Sequence, residues 1–592
     1  MTYRAPVADI AFALDHAAGF GPALAEGLYG DLAPDVVQAV LEEAGKFASD
    51  ILAPLNAVGD RHGAAFKDGA VTTAPGWKEA YRAWAQAGWN GLAAPAQWGG
   101  QELPHAVNAA CIEMWNSAAM AFGLGPLLTM AGVDALVAHG SEELKRVYLP
   151  KLISGEWMGT MQLTEPQAGS DVGALRTRAE RAADGSYRIT GQKIFITYGE
   201  HDLTDNIIHL VLARLPDAPS GTKGISLFLV PKFLPKADGS PGERNDARAH
   251  SIEHKLGIHA SPTCTMVYGD NGGATGFLIG EENRGMACMF TMMNQARLSV
   301  GLQGVAIAER ATQQALAFAR ERKQGRATNA QTGSSPIIAH PDVRRMLLTM
   351  RALTRAARAI CYTTAVALDR AQRSGDEAAR HTAHQRASLL TPIAKGFSTD
   401  VGIEVASLGV QVHGGMGYVE ETGAAQHYRD ARIAPIYEGT NGIQAIDLVT
   451  RKLPLAGGTT VKAYIGELKR TVDAVNAATA PAFGWTGVRL QDAVESLERA
   501  THWLLGNQHN DLDTALAGAT PYLRLFALAA GGALLAEEAL GAMRIGDNDT
   551  DAAARTAIAR FFAENIAVAV PGLERMVIEA ADSVNNADAA LM

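Results

Sequence analysis

Ile436-Tyr437-Glu438-Gly439-Thr440-Asn441-Gly442-Ile443-Gln444 sets one carboxylate among small residues, directly before a helical run over 443–449. The glycines at 439 and 442 let the backbone turn tightly and approach a ligand without a side chain in the way. An acid just ahead of a helix also complements the helix dipole. On spacing alone Glu438 therefore has two readings, a helix-end charge and a catalytic base, and the rest of the chain has to choose between them.

The chain has 592 residues, 47% of them apolar and 19% charged, enough to bury a large core in more than one domain. A formal net charge of -10 argues against a dedicated nucleic-acid surface. Four widely spaced cysteines without a CxxC pair (Cys111, Cys264, Cys288, Cys361) fit reduced thiols better than a disulfide frame or a zinc site. The start Met1-Thr2-Tyr3-Arg4-Ala5-Pro6 has no basic segment followed by a long apolar run, and no other stretch reads as apolar enough to cross a bilayer. The expectation is a cytoplasmic protein with no membrane span.

Four segments are expected. Residues 1–157 read as helical, rich in Ala, Leu and Glu, interrupted sharply only at Gly99-Gly100. Over 158–280, β-prone runs such as Lys193-Ile194-Phe195-Ile196-Thr197 alternate with Pro-Gly-Asp clusters, the pattern of a small β-domain or barrel. Helical periodicity returns over 281–455, with Met286, Met289, Phe290 and Met293 spaced as one buried stripe. A last Ala/Leu-rich helical block, 456–592, reads as an appended domain.

Four further stretches could carry chemistry. Thr164-Glu165-Pro166-Gln167-Ala168-Gly169-Ser170-Asp171 is a loop offering hydroxyls and backbone N–H groups to an anion, or only a capped turn. Phe195 and Thr197 are two residues apart on one strand, so an aromatic and a hydroxyl would share a face beside a flat cofactor, although core packing is the plainer role for Phe195. Gln411-Val412-His413-Gly414-Gly415-Met416-Gly417 lets the backbone approach phosphate or ribose but follows no strand, so it is not a dinucleotide fingerprint. Arg320-Glu321-Arg322-Lys323 by itself is a basic helix end.

Taken together, Leu163-Thr164-Glu165-Pro166 with Gly169-Ser170-Asp171, then 193–197, 411–417 and Tyr437-Glu438-Gly439-Thr440, resemble the ordered motifs of the acyl-CoA dehydrogenase family. The resemblance covers about 35–455, and the last block is similar to a larger bacterial subgroup that includes 3-methylmercaptopropionyl-CoA dehydrogenase. It implies a mainly α fold: a helical N-domain, a β-barrel middle domain and a four-helix C-domain, with the appended helical domain behind them. FAD would bind between the middle and C-domains and across a dimer contact.

By that resemblance Glu438 is the base, and Ser170, Arg297 and Gly439 lie at the substrate. Gln162, Leu163, Thr164, Gly169, Ser170, Phe195, Ile196 and Thr197 would line the flavin and its pyrophosphate. Arg322 and Gln324 of one subunit, with Gln411, Gly414 and Gly415, would reach the adenine half in the neighbour, and Thr440 and Asn441 would close over the cofactor. Three positions depart from the family: Phe195 stands where tryptophan is usual, Gln324-Gly325 replaces Phe-Gly, and Pro341 follows His340 where glutamine is common. A minority of the family carries its base on the helix before the arginine; that position is Ala296 here, which cannot take a proton.

The resemblance implies FAD-dependent α,β-dehydrogenation of an acyl-CoA thioester to the trans-2-enoyl-CoA, with an electron-transferring flavoprotein as acceptor and a homodimer or dimer of dimers as the assembly. Bulky Met286, Met289, Phe290, Met292 and Met293 before Arg297 point to a short acyl group, 3-(methylthio)propanoyl-CoA first and butanoyl-CoA next. The alternatives are a medium- or long-chain dehydrogenase, an acyl-CoA oxidase and a nucleic-acid-binding flavoprotein relative. Intact Glu438 and the negative net charge speak against the last.

Overall fold

The computed structural model describes residues 3–328, 330–478, 480–507, 511–545 and 550–592. Met1 and Thr2 of the quoted start, Asn329 of the loop before the second long helix and Thr479 near the start of the last block lie outside them. The chain forms two compact units, one of Phe47–Pro104 and Ala118–Ala296, the other of Met1–Lys46, His105–Ser117 and Arg297–Met592. This partition differs from the four linear segments expected from sequence.

The first unit is built on an eight-stranded sheet. Strands Tyr187–Thr197, Ala274–Ile279, Ile225–Pro231, Asn206–Arg214 and Arg178–Arg181 pair in turn, and the last pairs back to the first, closing a small barrel. Asn206–Arg214 and Ile225–Pro231 are buried almost throughout, because both faces of these strands are covered. Ile208, Leu210 and Leu212 join one core with Leu127, Leu149, Met289 and Met292. Val211 and Ala213 join the other with Ile189, Phe228 and Val230, as the period of two requires.

One buried ion pair fixes the loop after strand Trp157–Gln162. Lys193 Nζ lies 2.8 Å from Glu165 and 3.0 Å from the Leu163 carbonyl, with both side chains withdrawn from solvent. Glu165 also accepts from the Thr177 hydroxyl at 2.6 Å and from the Arg176 N–H at 2.6 Å. Burial alone would raise the Glu165 carboxyl, but Lys193 and these donors outweigh it and hold the group at about 2. Glu165 is thus spent on the fold of its loop.

In the second unit, helix Gly285–Glu321 from Arg297 onward and helices Pro341–Arg373 and Glu377–His413 form the bundle. Helix His105–His139 is broken at Ala119, which has non-helical backbone angles, and only its first part belongs to this unit. Buried Asp369 accepts from the N–H groups of His105 at 2.7 Å and Ala106 at 3.0 Å, satisfying donors that a helix start leaves open. Arg358 pairs with Glu113 at 2.6 Å, and Asp9 accepts from Arg355 at 2.6 Å and Arg555 at 2.9 Å. Distant stretches are tied together by these pairs, so the last helical block packs on the bundle instead of hanging from it.

Three expectations need correction. Segment 1–157 is not helical throughout: Ala65–Lys67 and Ala70–Thr72 pair as a hairpin, turned by Asp68 and Gly69 at positive φ. Among the described residues three apolar runs, His105–His139, Ala519–Ile545 and Asp551–Glu579, are long and apolar enough to cross a membrane by length and composition. The first two are mostly buried, so their apolar surface serves packing. The methionine stripe is also different: Met289 and Met292 lie in the core with Cys288 and Ala296, Met286 and Met293 pack partly against it, and Phe290 is exposed. All four cysteines are buried free thiols.

Lys193→Met leaves the Glu165 charge buried without its partner, and should lower stability in denaturant unfolding by about 3–5 kcal/mol. Adding Glu165→Leu should recover much of that loss. A Lys193→Met protein as stable as the parent would show that the pair does not hold this loop.

Candidate active site

Glu438 and Gly439 are both left-handed, with φ of 56° and 84°. For a residue with a side chain this conformation costs on the order of 1–3 kcal/mol and persists only where the surroundings enforce it. Gly439 could not carry one: an added Cβ would meet Gln444 Nε2 at 2.8 Å. The Thr440 hydroxyl accepts from the Ile443 N–H at 3.2 Å and caps helix Asn441–Asp447, while the Asn441 N–H donates to the Pro435 carbonyl at 3.0 Å. Turn and helix start are thereby locked together.

The neighbouring helices enforce the turn. From helix Gly285–Glu321, Arg297 Nε reaches the Glu438 carbonyl at 3.4 Å, and its Nη1 lies 3.6 Å from Asp447. From helix Glu377–His413, Lys395 Nζ donates to the Gly439 carbonyl at 2.8 Å and to Asn441 Oδ1 at 2.9 Å. Gln444 Nε2 donates to the Gly439 carbonyl at 3.2 Å, leaving its buried Oε1 without a partner. The Tyr437 hydroxyl donates to Gln303, which is held by Asn116 at 3.2 Å.

Glu438 is half-buried. Burial raises its carboxyl above the ordinary range, while Arg297 and Lys395 pull the other way. Burial depresses Lys395 to about 7 against the opposing pull of Glu438 and Asp400. A carboxylate of raised basicity under the influence of two cations can accept a proton and remain charged beforehand. Its own backbone N–H donates to nothing among the described residues, leaving a free donor beside the carboxylate.

The other expected residues fall into two groups. In the barrel unit, Phe195 is 59% exposed and has a φ of 59° at a break in register opposite Thr265, so it leaves the sheet alternation and is not core. Leu163, Thr164 and Thr197 are half-buried, Gly169 and Ser170 exposed, and Ile196 buried. Gln162 is buried too: its amide bonds His209 Nδ1 at 2.7 Å and accepts from Tyr268 at 2.5 Å, so its side chain belongs to the core. An outward-facing aromatic ring and an exposed Gly-Ser loop in the same unit suit a flat anionic cofactor.

In the helical unit, Gly414 has a φ of 60°, and neither it nor Gly415 has an atom within 4 Å of an added Cβ, so backbone is bared where a phosphate or sugar could lie. Gln411 is exposed beside them. Exposed Arg322 bonds the Lys323 carbonyl and Gln324 Oε1, without an acid partner among the described residues. Pro341 is the first residue of helix Pro341–Arg373, and His340 Nε2 approaches the Gln324 carbonyl at 2.8 Å. The Asn441 amide is filled by Lys395, Gly396, Thr399 and Asp400, so it braces the loop.

Sequence reading missed Lys395, Gln303, Gln444 and Asp447. Only Lys395 left a trace, as a lone cation inside the apolar run Leu389-Leu390-Thr391-Pro392-Ile393-Ala394-Lys395-Gly396-Phe397.

Family models match nearly the whole chain: the acyl-CoA dehydrogenase N-terminal domain over 35–156, the middle domain over 160–271 and the C-terminal domain over 283–453. An acetyl-CoA dehydrogenase C-terminal-like model matches 459–588. The chain is 47% identical over 588 residues to the 3-methylmercaptopropionyl-CoA dehydrogenase of Ruegeria pomeroyi, with 99% of each covered. It is 35% identical over 560 residues to a butyryl-CoA dehydrogenase of Syntrophomonas wolfei, covering 91% of this chain and 90% of that one. An acyl-CoA dehydrogenase of Bacillus anthracis, solved with FAD, shares the fold with a TM-score of 0.74 at 20% identity, over 95% of this chain and 91% of the other. Sequence, fold and the geometry around Glu438 agree, and the chain belongs to the acyl-CoA dehydrogenase family.

Proposed function

We propose that the protein uses FAD to dehydrogenate a short acyl-CoA thioester between Cα and Cβ, with 3-(methylthio)propanoyl-CoA the favoured substrate and Glu438 the base. The observation that carries this reading is the half-buried Glu438, held in a left-handed turn whose carbonyls are gripped by two cations, Arg297 and Lys395. The product is the trans-2-enoyl-CoA.

The α-proton of a thioester is weakly acidic, so its removal needs a base against Cα and a donor at the thioester oxygen. Glu438 takes the proton at its carboxylate. Its unpaired backbone N–H is the chain's donor for the oxygen, on which charge develops as the proton leaves. Substrate binding would exclude more water and raise the basicity of Glu438 further. Bound FAD supplies the acceptor for the hydride that leaves Cβ. Leu163, Thr164, Gly169, Ser170, Phe195 and Thr197 would hold its flavin half, and Gln411, Gly414, Gly415 and Arg322 its phosphates and adenine half. The exposed, acid-free Arg322 suits service to the cofactor of a partner subunit, in a homodimer that passes electrons to an electron-transferring flavoprotein.

The substrate rests on similarity. Met289 and Met292 are core residues, so crowding by methionines no longer argues for a short pocket. Support comes from the full-length relative at 47% identity and, for butanoyl-CoA, from the one at 35%.

Glu438→Gln should keep bound FAD and acyl-CoA affinity but lose roughly 10²–10⁴-fold in turnover with an artificial electron acceptor. Near-normal turnover would place the base elsewhere. In a panel of thioesters, kcat/KM should be highest for 3-(methylthio)propanoyl-CoA and butanoyl-CoA, each added methylene costing about 1 kcal/mol or more. Efficiency rising steadily from four to twelve carbons would assign the protein to longer fatty acids.

A further inference from the structure

Lys395 stands on helix Glu377–His413 with no exposed surface. Its Nζ bonds the Gly439 carbonyl and Asn441 Oδ1, and forms no ion pair within 4 Å among the described residues. Burying an ammonium without a direct carboxylate partner is unfavourable. A neutral side-chain amide could cross-link the same two oxygens without that cost, so the choice of a basic amine at this position calls for a reason. The catalytic loop supplies one: Lys395 grips the carbonyl of the residue next to Glu438, and its charge interacts with the Glu438 carboxylate.

We propose that Lys395 is the positioning residue of the catalytic loop, clamping Gly439 and Asn441 so that Glu438 keeps its left-handed turn, and that its charge, with that of Arg297, favours the ionised form of the Glu438 carboxyl. The inference rests on the reading of Glu438 as base. The helix around Lys395 is well placed to act as an anchor. Asn441 Nδ2 also donates to the Gly396 carbonyl at 3.0 Å and to Asp400 at 2.8 Å. Gly396 has no side chain where Leu523 of the C-terminal helix Ala519–Ile545 packs: an added Cβ would meet Leu523 Cδ1 at 2.8 Å. The C-terminal helix therefore presses on the residue next to the clamp, which gives the last block a part in holding the loop.

The charged groups around the pair are few. Lys395 feels Glu438 and Asp400 as anions and Arg297 as a cation. Arg297 in turn is influenced by Asp447 and Arg451, and Asp400 by Arg524 and Glu404. Lys395 opposes protonation of Glu438, so removing its charge makes Glu438 easier to protonate. Activity depends on ionised Glu438 and falls as the pH drops through its titration. The acidic limb of kcat/KM should therefore move to higher pH when Lys395 is neutralised.

The test compares Lys395→Met and Lys395→Arg holoenzyme with the parent and with Glu438→Gln. The carboxyl band of protonated Glu438, identified by its absence in Glu438→Gln, is titrated by infrared difference spectroscopy alongside the pH profile. In Lys395→Met the band and the acidic limb should both move up by about one pH unit. In Lys395→Arg both should stay near the parental position. Should Lys395→Met fail to fold, Lys395→Gln removes the same charge and keeps a donor for Gly439. A folded neutral variant with band and limb unmoved, while Glu438→Gln is inactive, overturns the inference and leaves the base intact. An active Glu438→Gln overturns the base instead, and the band still reports whether Lys395 controls the Glu438 proton.

Discussion

The active site depends on a backbone conformation that its own residue does not favour. Glu438 sits at positive φ, next to a second left-handed residue, and the turn is kept by donors that grip its two carbonyls from separate helices: Arg297 on the carbonyl of Glu438, Lys395 and Gln444 on that of Gly439. The carboxylate is aimed by this grip and not by its own hydrogen bonds. Strain of this size is tolerable when several packed elements share the load, and here the load passes through Arg297 to Asp447 and through Lys395 into helix Glu377–His413.

The rest of the helical unit can be understood as support for those anchors. Arg358, Glu113 and Tyr362 form a buried network in which Glu113 accepts from the Tyr362 hydroxyl at 2.6 Å. Asp9 joins Arg355 and Arg555, residues more than 300 positions away in either case. Buried ion pairs of this kind add little net stability, but losing one partner is costly, so they commit distant stretches to a single arrangement. The barrel unit solves a similar problem with Glu165 and Lys193, which fix the loop that presents Gly169 and Ser170.

Much of this was legible in the sequence. The Tyr-Glu-Gly-Thr stretch, the β-prone middle and the helical blocks were readable because glycine placement and hydrophobic period follow directly from backbone geometry. Glu438 and Arg297 were named and lie together. Lys395, Gln444 and Gln303 were not, because a side chain that acts through a carbonyl far away in sequence leaves no local spacing to detect. For Phe195 strand alternation alone left core packing as the plainer role and the resemblance placed it at the flavin; the break in register turns it outward, away from the core. For Gln162 the motif marks the position, while Tyr268 and His209 take up its side-chain amide, a long-range pairing that spacing does not show. The methionines misled because 3.6-residue spacing identifies a buried face without saying what covers it.

The central claim is that Glu438 removes the α-proton, and hydrogen exchange tests it apart from oxidation. Acetyl-CoA has α-hydrogens but no Cβ, so the only step open to it is proton transfer at Cα. In deuterium oxide, followed by mass spectrometry, the parent should exchange the acetyl hydrogens for deuterium well above the rate without enzyme, and Glu438→Gln should not. Exchange that continues undiminished in Glu438→Gln would contradict the account.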